Sequence, residues 1–106
     1  MLLLGGVIAS ASLNAPPAAA APHTATIIMS NMSFGRVPAD LRVGDTVVWV
    51  NRDTVPHTVT ARDRSFDVRL APGQSVSQPL TKPGTFAFYC IYHSTMRGIL
   101  KVVPAK

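Results

Sequence analysis

The 106 residues give room for one domain with a modest core, and the formal charge of +5 comes from ten Lys and Arg against five Asp, the first cation being Arg36. Nine prolines, seven glycines and short runs rich in Val and Thr exclude a helix bundle. A single cysteine excludes an intrachain disulfide and leaves a bound metal as the natural staple for a chain this small. The basic balance opens nucleic acid as a partner class, but no aromatic-interleaved basic run or recognised motif supports it.

Residues 1–21 carry no charged side chain, run apolar from Leu2 to Leu13 and end in a small-residue segment with A-x-A patterns. They read as a secretory signal cut after Ala20 or Ala21, leaving residues 22–106 as one domain. The positively charged start of such a signal is missing, so the reading includes a true start further upstream. A membrane anchor is disfavoured, because Gly5-Gly6, Ser10, Ser12, Asn14 and Pro16-Pro17 interrupt the run short of the ~20 apolar residues a span needs. No cysteine near the junction offers a lipid attachment point. Export matters for the one thiol, which outside the cytoplasm is prone to oxidation unless something, such as a metal, occupies it.

In the expected mature part His23 reads as a flexible tail residue, and Met29 and Met32 as core. Residues 24–29 (TATIIM) form a first strand that residues 32–34 continue or bend. Pro38, Asp40 and Gly44-Asp45 mark turns before residues 46–50 (TVVWV), where Val47, Trp49 and Asn51 share one face and Val48 and Val50 the other. His57 opens a strand over residues 57–61 (HTVTA), and residues 62–67, polar apart from Phe66, read as a loop. After Pro72-Gly73, residues 74–80 alternate and include Pro79, which marks an edge strand. Residues 85–90 (TFAFYC) place Phe86, Phe88 and Cys90 on one face, and residues 99–103 form the last strand. Six or seven short strands with frequent turn signals and no helical period make an antiparallel β-sandwich.

The chemistry concentrates in Tyr89-Cys90-Ile91-Tyr92-His93-Ser94-Thr95-Met96, a C-x-x-H-x-x-M run holding the only cysteine, with Val55-Pro56-His57 upstream. Taken singly, His57 would be an ordinary surface or core histidine, Met96 a core residue and Cys90 a small buried hydrophobe. Their conjunction is different: two imidazoles, a thiolate and a thioether are the ligand set of a blue-copper site, His₂Cys in a plane with a weak axial Met. Soft sulfur suits Cu(I), imidazole suits both oxidation states, and an intermediate geometry lets the ion change charge with little rearrangement. A Cys-His hydrolase lacks a third orienting group here, and Met is not a usual zinc ligand. A copper-buffering or delivery module is the alternative, opposed by a cysteine set behind Phe86 and Phe88.

These segments resemble the cupredoxin family, and within it the amicyanin type with its short C-x-x-H-x-x-M loop. GDTVVWVN, VPHTVT, PGTFAFYC and Met96-Arg97-Gly98 carry the likeness, which covers the chain from about Thr24 onward. The resemblance implies a Greek-key β-sandwich holding one type 1 copper ion, with His57, Cys90 and His93 as equatorial ligands and Met96 axial. It implies that Asn51 hydrogen-bonds around the Cys90–Met96 loop and pins its backbone. Amicyanin loops place prolines beside the exposed histidine, whereas Tyr92 and Ser94 stand there in this chain, so the surface patch differs and Tyr92, His93 and Arg97 become the candidate partner contacts.

The reading is a monomeric, periplasmic or otherwise extracytoplasmic electron carrier and not an enzyme, since no second metal site or open coordination position is evident. The resemblance implies an amine dehydrogenase upstream and a c-type cytochrome downstream, an oxidase is a further candidate, and the net charge points to an acidic docking surface on the partners.

Overall fold

The computed structural model describes residues 21–105. Most of the leader expected over residues 1–21, and Lys106, lie outside them. Nine strands follow in chain order: β1 (Thr24–Ser30), β2 (Ser33–Phe34), β3 (Leu41–Arg42), β4 (Thr46–Asn51), β5 (His57–Ala61), β6 (Asp67–Leu70), β7 (Ser75–Pro79), β8 (Gly84–Cys90) and β9 (His93–Val103). They form two sheets, ordered β2-β1-β4-β7 and β3-β9-β8-β5-β6. The fold is the all-β Greek-key sandwich expected. Its ladders are not all antiparallel, since β1 runs parallel to β4 and β3 parallel to β9. In both cases the connection crosses from one sheet to the other and returns, which a two-residue hairpin cannot do.

The period-2 pattern explains which faces meet. On β4, Val47, Trp49 and Asn51 are buried while Thr46, Val48 and Val50 are half-buried. Ile27 and Met29 of β1 join them, and Val59, Phe88, Leu100 and Val102 face them from the other sheet. Phe88 lies at the centre, edge-on to Phe34 at 4.8 Å and to Trp49 at 5.3 Å between ring centroids. Gly98 is required beside it, because a Cβ there would stand 2.6 Å from the Phe88 ring. The indole N–H of Trp49 donates to Gln78 Oε1 at 2.9 Å, so the largest buried side chain leaves no orphan donor.

Several sequence expectations change. Met29 is core, but Met32 is exposed on the two-residue turn between β1 and β2. His23 is not a loose tail residue: its N–H donates to Asp45 at 2.8 Å and its carbonyl accepts from Thr46. Residues 67–70, part loop and part unassigned on pattern alone, form β6, the edge of the five-stranded sheet. β7 is an edge strand, as Pro79 indicates.

Candidate metal centre

Cys90 ends β8 and His93 begins β9, so only Ile91 and Tyr92 separate the two strands. The loop expected between strands ending at Cys90 and starting at Ile99 is instead a tight turn followed by a bulge within β9. Register runs Tyr89↔Arg97 and then Cys90↔His93, leaving Ser94, Thr95 and Met96 with no partner on β8. The extra residues let the chain turn Met96 inward, where it is buried in the same core cluster as Cys90.

His57 arrives from the first position of β5, and its imidazole is fully buried. Asn51 holds the segment that delivers it. Its Oδ1 accepts from Asp53 N at 2.9 Å, and its amide donates to Val55 O at 2.9 Å and, at longer range, to Leu70 and Ala71 carbonyls. The expected bond from Asn51 to the Cys90–Met96 segment is therefore replaced by bonds to the approach of His57. The reason is placement: Asn51 ends β4 and leads directly into the connection to His57, so its side chain meets Asp53 N and Val55 O close by in sequence.

The turn after Cys90 is held instead by Thr58, whose hydroxyl accepts from Ile91 N at 3.0 Å and pairs with Thr60 Oγ1 at 2.9 Å. The same residue's backbone N–H donates to Cys90 Sγ at 3.4 Å. That contact, with the hydroxyl bond to Ile91, ties both the sulfur and the turn after it to β5.

Asp53 acts on the other side of His57. Its Oδ2 lies 2.7 Å from His57 Nε2, and its carboxylate also accepts from Asn31 N at 2.7 Å and Met32 N at 2.9 Å. The hydrogen bond to His57, followed by that from Met32, holds the Asp53 carboxyl below the usual carboxylate range. Asn31 and Met32 both have positive φ, 53° and 57°, the backbone of a two-residue hairpin turn that Met rarely adopts. Asp53 thus ties a strained turn to the orientation of a buried imidazole. With Nε2 held by the carboxylate, Nδ1 is the ring nitrogen left to face a cation.

That Nδ1 points at the sulfur. Cys90 Sγ is 3.8 Å from His57 Nδ1 and 3.6 Å from His93 Nδ1, and all three donor atoms lie within 4.8 Å of one another. First-row metal bonds of about 2.0 Å to imidazole and about 2.3 Å to thiolate place N and S about 3.7 Å apart at a 120° angle. The two measured separations match that spacing. Cys90 and His57 are buried and His93 is half-buried, its ring edge-on to His57 at 5.2 Å and to Tyr92 at 6.4 Å. The donor set of two imidazoles and a thiolate, with a buried thioether three residues on, fits one copper ion.

Asp53 and Thr58 went unnoticed on sequence alone. The available signals were an acid four residues before His57, within an Asn-x-Asp turn, and a hydroxyl directly after the histidine. Of the expected partner contacts, Tyr92 is 53 % exposed beside His93, while Arg97 stands away from the tip, opposite Tyr89 on the flank of the sheet.

Fold and donor set together define a copper-site β-sandwich, and a family model for the cupredoxin-like domain matches residues 2–102; the chain belongs to that family. It is amicyanin-like within it. It is similar to amicyanin of Paracoccus denitrificans, 30 % identical over 76 residues that make up 66 % of this chain and 58 % of that protein. It also resembles amicyanin of Paracoccus versutus, at 26 % over 91 residues, 77 % of this chain and 69 % of that one. The chain therefore spans somewhat over half the length of the first of these relatives. Among solved structures, a mutant of amicyanin in its Cu(I) form superposes with a TM-score of 0.66 at 27 % identity, over 74 % of this chain and 81 % of that one. A purple cupredoxin from Nitrosopumilus maritimus does so at 0.65 and 26 %, over 74 % of this chain and 98 % of that one.

Proposed function

We propose that this chain is a small exported type 1 copper protein that passes single electrons between redox partners, with His57, Cys90 and His93 as equatorial ligands and Met96 axial. The observation that carries the reading is the convergence of His57 Nδ1, Cys90 Sγ and His93 Nδ1 at separations suited to a trigonal ion. Copper supplies the Cu(II)/Cu(I) couple. The protein's part is to keep the donors in place in both states: Asp53 and Asn51 fix His57, and Thr58 fixes the turn between Cys90 and His93. Burial of Cys90 behind Phe88 keeps water and oxidants from the sulfur, which favours a resident ion over a cargo ion for delivery.

His93 is the half-buried ligand, beside the exposed Tyr92, so electrons enter and leave at that edge. The net charge of +5 favours partners with an acidic docking surface. An amine dehydrogenase, c-type cytochrome or oxidase outside the cytoplasm fits that role, and the carrier acts as a monomer without catalysing a reaction of its own.

The test is the absorption and EPR spectrum of the Cu(II)-loaded chain beside Cys90→Ala. An intense thiolate-to-copper band with narrow copper hyperfine splitting, lost in the variant, is expected. A pale Cu(II) spectrum indifferent to the substitution would overturn the proposal.

A further inference from the structure

A basic surface lies beside the metal centre and is not used by it. Residues directly opposite in register share a face, so Arg97, Tyr89, Thr60 and Asp67 form one row across β9, β8, β5 and β6 on the outside of the five-stranded sheet. Ile99 and Lys101 alternate onto that face too, since Leu100 and Val102 point inward. The Arg62 guanidinium lies over the Tyr89 ring, 4.4 Å from its centroid. Between them opens a cleft of about 440 Å³ lined by Arg62, Arg64, Asp67, Arg69, Tyr89 and Ile91.

The charge there is unbalanced. Arg62, Arg64, Arg69, Arg97 and Lys101, all exposed, stand against Asp63 and Asp67, so five cations meet two anions, +3 of the chain's +5. Both anions are already engaged. Asp67 takes two bonds of 3.1 Å from Arg69 and one of 2.7 Å from Thr60, while Asp63 accepts from Ser65 N. Among the described residues Arg62, Arg64 and Arg97 form no ion pair. Exposed aliphatic surface lies among the cations, with Ile99 60 % and Ile91 39 % exposed. Guanidinium groups, a tyrosine braced by a cation and uncovered aliphatic side chains are what a protein interface uses. A phosphate polymer needs only the cations.

We infer that this outer face, centred on the Arg62–Arg64–Arg69 cleft, seats a carboxylate-bearing segment of an acidic redox partner protein. The inference rests on the electron-carrier reading and adds to the His93 edge a charged docking surface on the flank. Tyr89, on the cleft wall, is the residue bonded to Cys90, so a partner held here lies against the strand that carries the sulfur.

The test is a ¹⁵N–¹H NMR titration of the full chain, metal-free and Cu(I)-loaded, with a poly-L-glutamate peptide of about 15 residues at low salt. Arg62→Gln/Arg64→Gln is compared with Arg52→Gln/Lys82→Gln, which removes the same charge elsewhere. Shifts confined to residues 62–69, Tyr89, Ile91 and Arg97 are expected, with apparent affinity falling about fivefold in the cleft variant and less than about twofold in the control. Shifts confined to residues 92–95, equal losses in both variants, or tighter binding of single-stranded oligothymidylate on the same residues would each overturn the inference. The thiolate-to-copper band is recorded on the same protein preparation after loading with Cu(II). Its absence beside localised shifts overturns the carrier reading and not the surface; its presence without them overturns the surface alone.

Discussion

Asp53 and Thr58 set the geometry of the centre although neither supplies one of the clustered donor atoms. Asp53→Ala removes the acceptor that orients His57 and releases the two N–H groups of the Asn31-Met32 turn. Copper affinity is expected to fall about 10- to 100-fold, read by competition with a chelator of known affinity, whereas an unchanged affinity would show that the bond is ornamental. Thr58→Val keeps the shape but strips the hydroxyl from Ile91 N, so the metal-free chain should lose about 1–3 kcal/mol in urea unfolding. Asp45 provides a pH test. Its buried carboxylate accepts from His23 N at 2.8 Å and Arg42 N at 2.9 Å, and these two bonds hold its carboxyl below the usual range. A folded value below the unfolded one means that the contribution is complete above about pH 4 and is lost as pH falls through the folded value. Acid unfolding of Asp45→Asn should accordingly show a shallower dependence on pH in that acid range. At this scale the sequence was informative about donors and poor about their supports, because Cys, His and Met announce their chemistry by type while Asp and Thr occur everywhere.

At the scale of elements, alternation placed β4 and β8 correctly because each buries one face and not the other. It failed for β6, whose Asp67 and Arg69 point to solvent and whose only fully buried side chain is Leu70. Polarity there marks an outer face at a sheet edge, which reads on pattern like a loop. The start of β9 was missed for another reason: His93, Ser94, Thr95 and Met96 have no period of two, since the bulge opposite Cys90 breaks it. Pairing of β8 with β9 depends on the Phe88 ring lying over Gly98. Gly98→Ala is expected to cost about 1–3 kcal/mol by overpacking, measured by denaturant unfolding, and to distort the copper spectrum because Cys90 and Met96 flank that contact on the same strands. A neutral substitution would mean that the ring can move aside without disturbing the centre.

For the whole molecule, the two-sheet sandwich was legible from short strands and turns, while the parallel β1–β4 and β3–β9 pairings were not. Pairing between distant strands depends on how the whole chain packs, and local pattern carries no record of it. The sandwich has no disulfide, and the donor cluster joins the start of β5 to the end of β8 and the start of β9. A metal bound there crosslinks three strands. At a hundredfold excess over its Kd the ion adds about 2.7 kcal/mol, which for a domain of this size raises Tm by roughly 10–20 °C over the metal-free chain. A thermal scan with no such shift would mean that the donors are not drawn together by copper.

The central claim is that the chain keeps one copper ion through a one-electron cycle. A potentiometric titration followed at the thiolate-to-copper band, with total bound copper assayed at each end, tests it most directly. The expected result is a single reversible n = 1 transition with the ion retained in both states. A band that fails to return, or copper released on reduction, would contradict the account and assign the centre to copper handling instead.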